Sequence, residues 1–216
     1  MITEQSAQFY AKIASNHDRI YDRPERQDDL AEMRGHVAEV LRGHTVLELA
    51  CGTGYWTRII AEVADKVVAT DINPEMIAMA ALRKLPADKV TLRVADAYDL
   101  PDHIGDFTAV FVGFWWSHVK REEYEKFLAK LKARVGKDIL IVLLDEAYVE
   151  GSSATVSRTD MEGNTYHIST APDGERYEIP TTYPSDSALR KKLASSVREI
   201  RIVRLEHYWL LSCRLK

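Results

Sequence analysis

Residues 46–57 read VLELACGTGYWT. Val46, Leu47 and Leu49 surround Glu48 in a short apolar run with the composition of a buried strand. Gly52 and Gly54 then remove side chains where backbone comes close to a ligand, before apolar positions return at helical spacing. Downstream, KVVAT (66–70), VTLRVA (90–95), TAVFVGF (108–114) and DILIVLL (138–144) read as further strands, with helical stretches near 55–64, 75–84 and 120–134 between them. Strands rich in Val, Ile and Leu without strict alternation are buried on both faces, as in a parallel sheet covered by helices. The pattern predicts a doubly wound α/β fold.

Outside this core, residues 3–22 and 25–42 read as two helices, so that 1–43 forms an N-terminal helical cap on a cofactor-binding core over 44–145. A polar, turn-rich stretch over 146–184 is expected to elaborate the site, with a hairpin formed by TYHIS (165–169) and RYEIP (176–180). A helix over 186–196 and the strands VREIRIVRL and HYWLLSCRL complete the region 185–216. The connection between those strands is too short for a crossover, which makes them antiparallel neighbours and brings the sheet to seven strands. The whole of 1–216 is read as one domain.

Composition narrows the function. With 46% hydrophobic and 29% charged residues the chain has the balance of a globular protein, and a net charge of −4 offers no footprint for a nucleic-acid backbone. No run of about 18 apolar residues is present to span a bilayer, and the start, MITEQSAQFYAKI, lacks the features of a secretory signal. Two cysteines, Cys51 and Cys213, are too few for a disulfide framework or a metal cluster and fit a reducing, cytoplasmic setting. No metal site is expected, and the oligomeric state is not legible.

In a sheet of this kind ligands sit at the carboxyl ends of the strands. Glu48 precedes the glycine turn, Asp71 ends the second strand, Asp96 ends the third, and the fourth runs into Gly113-Phe114-Trp115-Trp116-Ser117-His118. A carboxylate at Asp71 suits ribose hydroxyls, a feature that fits NAD and S-adenosylmethionine (SAM) equally. Charge separates them. A pyrophosphate at the helix N-terminus is opposed by Glu48, the turn GTGYWT lacks the third glycine of the dinucleotide fingerprint, and no G-K-[ST] follows. SAM offers a carboxylate to the exposed N–H groups, cationic centres to the acids, a ribose to Asp71 and an adenine amine to Asp96.

The set LELACGTG, VVATDINPEMI and VADAYDL, at this spacing, resembles the class I SAM-dependent methyltransferases, Rossmann-like proteins with an antiparallel terminal strand. The resemblance implies SAM as cofactor. It places Glu48, Ala50, Gly52 and Gly54 around the methionine part, Asp71 on the ribose, Ile72 on the adenine face, and Asp96 with Ala97 at the adenine edge. Ala50 departs from the first glycine of many relatives, and Thr108 from an acid at the start of the fourth strand. A narrower likeness, in ELACGTGYWTR, FWWSHV and PDGERYEI followed by TYPSDSAL, is to small bacterial methyltransferases that include phosphonate O-methyltransferases, whose segment after the fifth strand folds over the substrate. Where phosphonate-acting members carry a lysine, this chain has Thr181.

Methyl transfer is an in-line displacement that needs alignment and exclusion of water more than covalent help. An acceptor that must lose a proton needs a base, and His118, after strand four, is the candidate. Trp115 and Trp116 suit an aromatic wall, with at least one of the two expected in the core, Tyr10 and Tyr21 (with His17) a closing first helix, and Arg158, His167 and Arg176 donors from the 146–184 segment. Cys51 reads as a packing residue. The expected activity is methyl transfer to a small-molecule acceptor, an oxygen nucleophile first. N-methylation of a small heterocycle and a non-catalytic SAM-binding module are the alternatives.

Overall fold

In the computed structural model, which describes residues 4–216, the strands are β1 (Thr45–Leu49), β2 (Lys66–Asp71), β3 (Val90–Val94), β4 (Ala109–Gly113), β5 (Leu140–Glu146), β6 (Arg158–Thr159), β7 (Thr165–Thr170), β8 (Arg176–Pro180), β9 (Val197–Arg204) and β10 (Tyr208–Leu215). The helices are α1 (Glu4–Ile13), α2 (Gln27–Leu41), α3 (Tyr55–Val63), α4 (Pro74–Ala81), α5 (Tyr124–Val135) and α6 (Asp186–Leu193). The main sheet has seven strands in the order β3-β2-β1-β4-β5-β10-β9. β1 to β5 are parallel, and β10 lies antiparallel to both β5 and β9.

Alternation along each strand sorts side chains onto two covered faces. Leu47, Leu49, Val110, Val112, Ile141 and Leu143 join Phe127 and Leu131 of α5 and Leu189 of α6 on one side. Val46, Ala109, Phe111, Val142 and Leu144 meet Met33 and Val37 of α2 and Ile59 and Ile60 of α3 on the other. Glu48 shares the parity of Val46 and therefore points into the second layer, the only acid in a β1 run otherwise apolar from Val46 to Leu49.

Two expectations change in detail. The helix expected from residue 3, which lies outside the described residues, is α-helical only to Ile13, and Ala14–Tyr21 winds as a 3-10 helix. Asn16, His17 and Asp18 are weak helix formers, and Asp18 spends its side chain on tertiary partners. The hairpin at 165–180 gains a third strand, β6, whose two residues carry too little pattern to be recognised. This small sheet clasps α1 through Phe9, Ala171, Tyr177 and Ile179. Among the described residues no helix is long and apolar enough to cross a membrane.

Candidate active site

The chain builds outward from β1 to β3, then returns to place β4 on the other side of β1. The two connections diverge there and open a crevice at the carboxyl ends of β1 and β4. The pocket found at this point is lined by the β1 turn, the end of β2, the segment after β4, and the N-terminal helices.

The turn is shaped by left-handed backbone. Ala50 has φ 53°, a left-handed conformation that costs an alanine about 1 kcal/mol and that the glycine implied at this position by the family resemblance would adopt freely. Gly54, at φ 78°, opens α3, and a Cβ on it would stand 3.0 Å from that of Ala80 in α4, so its role is close packing of two helices beneath the site. Asp71 ties the turn to β2: its carboxylate accepts the N–H of Gly52 at 2.9 Å and of Asn73 at 2.9 Å. Burial nonetheless holds its pKa above the usual carboxylate value. Glu48 lies deeper. It is 2% exposed, and its Oε2 has no hydrogen-bond partner among the described residues. Burial, with Asp71 adding its charge, pushes its carboxyl up to about 8. The pocket lining holds these two carboxylates and, among the described residues, no lysine or arginine.

The 3-10 helix closes over the turn. The Thr53 hydroxyl donates to Asp18 Oδ1 at 2.5 Å, Arg83 pairs with Asp18, and Arg83 Nε donates to the Thr53 carbonyl at 2.5 Å. Tyr21 stacks on Tyr55 with ring centroids 3.7 Å apart, and the His17 ring lies 3.7 Å from where a Cβ on Gly52 would stand.

On the far wall His118 is held between two elements distant in sequence. Its Nδ1 is 2.6 Å from the Pro180 carbonyl, which can only accept, so Nδ1 carries the hydrogen. Nε2 is then the acceptor, and the Tyr10 hydroxyl donates to it at 2.8 Å. Burial lowers the His118 pKa, so the ring is neutral near pH 7. Asp145 fixes the segment that carries it: its carboxylate accepts the N–H of Ser117 at 2.7 Å and of Glu146 at 2.8 Å, and burial raises it to about 7. Beside it Arg26, 1% exposed, pairs with Glu146 at 2.6 Å.

The structure thus brings Tyr10, Tyr21, Glu48, Ala50, Gly52, Asp71, Ile72, Trp115 and His118 to one pocket. Others fall outside its lining. Asp96 accepts the N–H of Tyr98 at 2.8 Å and, with Ala97, belongs to a turn after β3. Trp116 is fully buried and stacks on Tyr124 at 4.6 Å, a core position. Arg158 is exposed and paired with Glu178 at 2.6 Å, and Arg176 is exposed. His167 bonds Thr181 at 2.8 Å, and its pKa falls to about 4 through burial and the neighbouring His118. Asp18, Arg83, Arg26 and Asp145 are what sequence reading missed. Only Asp145 carried a signal, as another acid at a strand's carboxyl end.

The residues fit a cationic nucleoside. Two buried carboxylates without a protein counter-charge, an unpartnered Glu48 oxygen and an unpartnered Trp115 indole N–H leave polar capacity that a ligand with positive charge and acceptor atoms would satisfy.

A methyltransferase-domain family model matches residues 46–138. Among solved structures, a DhpI–SAH complex (SAH, S-adenosylhomocysteine) is 28% identical, with 99% of this chain and 97% of that chain covered and a TM-score of 0.76. A DhpI–SAM–HEP complex is similar to the same extent, at 28% identity, the same coverage and a TM-score of 0.77. A SAM-dependent methyltransferase from Aquifex aeolicus shares the fold at 18% identity, with 92% and 96% of the two chains covered and a TM-score of 0.60. No curated protein matches the sequence.

Proposed function

We propose that this chain, a class I SAM-dependent methyltransferase, methylates an oxygen of a small molecule that arrives uncharged and surrenders its proton to His118. The observation that carries the reading is the fixed tautomer of His118: Nδ1–H is committed to Pro180, which leaves Nε2 as a basic lone pair at the pocket wall. A second observation supports it. An anionic acceptor would need a counter-charge, yet the pocket lining has carboxylates and no arginine or lysine among the described residues, while Arg26 and Arg83 are committed to Glu146 and Asp18. The similar DhpI was solved with SAH, and with SAM together with HEP. Thr181, where phosphonate-acting relatives are expected to carry lysine, is here neutral and bonded to His167.

The cofactor, when bound, supplies a methyl group made electrophilic by the sulfonium. Everything else falls to the protein. Asp71 sets a negative potential at the cofactor-binding turn and holds Gly52 in place, and the buried Glu48 carboxyl lies beside it, ready to face the cofactor's cationic centres. Trp115 and Tyr21 exclude water from the crevice. His118 Nε2 accepts the acceptor's proton in place of the Tyr10 hydrogen bond, and the imidazolium keeps its Nδ1–H on Pro180. The segment 146–184 acts with α1 as a lid on a single domain spanning 1–216, because β8 both clasps α1 and supplies the carbonyl that sets the base. With Cys51 and Cys213 both free and buried, a cytoplasmic setting is consistent.

A screen with labelled methyl donor tests this, with phenols, alcohols, N-heterocycles, carboxylates and phosphonates as acceptors. Phenols or alcohols should be methylated, with an acidic limb in the pH profile of turnover that His118→Asn abolishes, and a rate loss of about 10² to 10⁴ in His118→Ala. Methylation confined to phosphonates or carboxylates, with His118→Asn fully active, refutes the reading. Turnover of N-heterocycles alone would keep the base and change the acceptor atom.

A further inference from the structure

Glu48 is the acid of this pocket that the fold leaves unfinished. Asp71 receives two backbone N–H groups, and Asp145 receives two, whereas Oε2 of Glu48 receives none among the described residues. The residue sits at the centre of the sheet, opposite Ala69 of β2 and Phe111 of β4, where water does not reach it. The groups around it offer no positive charge. Asp71 comes from β2, Cys51 from the turn, the Thr57 hydroxyl from α3, and Tyr21 from the 3-10 helix, with His17 beyond the turn held neutral by burial. From β4 it meets the apolar Phe111. A bare carboxylate here faces a second carboxylate and no cation, an arrangement stable only when one of the two is neutral or a cation enters. Asp71, with its backbone donors, is the better anion, so Glu48 is the one that takes the proton.

We propose that Glu48 is the residue by which the site reads the charge of its ligand: it is protonated in the free protein, releases that proton to solvent when SAM binds, and retains more of it when SAH takes the same place. The two ligands differ by one methyl group and one positive charge on sulfur, so a site that senses the charge separates substrate from product by more than the methyl contact. The balance is simple. The Oε–H bond of Glu48 breaks, the proton passes to buffer, and the carboxylate formed is compensated by the ligand's cationic centres. With the carboxyl near 8 in the free protein, SAM affinity falls about tenfold for each pH unit below that value. SAH affinity falls less steeply, so the preference for SAM over SAH widens by about tenfold or more between pH 6 and pH 8. The inference rests on the cofactor assignment and not on His118 as base.

Titration calorimetry of SAM and SAH in phosphate and in Tris at pH 7 counts the protons released on binding and needs no methyl acceptor. The expected result is close to one proton released per SAM, fewer per SAH, and a loss of that difference in Glu48→Gln. Release that persists in Glu48→Gln and disappears in Asp71→Asn would move the proton to Asp71 and overturn the proposal. Equal release and equal pH slopes for SAM and SAH would overturn the charge reading. Because Glu48→Gln alters the pocket, the wild-type protein provides a second measurement: infrared difference spectra should show a protonated-carboxyl C=O band that SAM removes, and no such band would refute the protonated state.

Discussion

In the free protein Glu48→Gln is a stability experiment whose sign depends on pH. The Glu48 carboxyl titrates near 4.5 in the unfolded chain and is pushed up to about 8 in the folded one, chiefly by burial. Between those values the folded state keeps a proton that the unfolded state has released. Stability contributed by this group is therefore intact below pH 4.5 and declines as pH rises, at up to about 1.4 kcal/mol per unit, reaching roughly 4–5 kcal/mol by pH 8. Glutamine has the same shape and no charge to desolvate, but its amide hydrogens inherit a site without partners, at a cost of about 1–3 kcal/mol. At pH 5 the variant should be slightly less stable than wild type. By pH 8.5 it should be more stable by about 2–3 kcal/mol, a rise of some 5–10 °C in a chain of this size. Urea unfolding of both proteins at pH 5, 7 and 8.5, without ligand, measures the difference. Asp145, raised to about 7 by the same cause, gives wild type a falling stability of its own, but it is present in both proteins and cancels. A difference between the two proteins that does not change with pH would mean that Glu48 is ionised in the fold, and the argument from burial would fail.

Asp71→Ala removes the acceptor for the Gly52 and Asn73 N–H groups together with the carboxylate expected on the ribose, and SAH affinity by calorimetry should drop about 10- to 100-fold, or 1.5–3 kcal/mol; unchanged affinity would remove Asp71 from the site. Asp18→Ala cuts the link that joins the 3-10 helix to Thr53 and Arg83. For a half-exposed pair worth about 1 kcal/mol, SAH dissociation by stopped flow should quicken about fivefold and amide exchange in α1 should accelerate. Identical dissociation rates would show that the cap does not gate the cofactor.

What was legible in the sequence is local. Apolar runs of Val, Ile and Leu, helical periodicity and turn residues place β1 to β5, α3 to α5 and the two closing strands to within a few residues, because each signal lies within one element. The spacing from Glu48 through Gly52 to Asp71 was likewise readable, since a parallel sheet brings successive strand ends to one edge whatever the rest of the chain does. The same logic could not say which of the two tryptophans after β4 would line the pocket and which would be core: Trp115 faces the pocket while Trp116 stacks on Tyr124 in the core. Residues that follow a strand turn apart by an angle that sequence does not print.

The tertiary structure alone decided how these groups are connected and charged. Tyr10 reaches His118 across 108 residues of chain, and Pro180 reaches it across 62. Asp18 finds Arg83 65 positions away, and Arg26 finds Glu146 across 120. None of these pairs leaves a periodic trace, because a hydrogen bond between distant segments constrains only the two residues that make it. The protonation of Glu48 is of the same kind: the acid is visible in VLELACGTG, but its charge is set by how completely β2, β4, α3 and the N-terminal helix exclude water around it, and desolvation is a property of the packed fold.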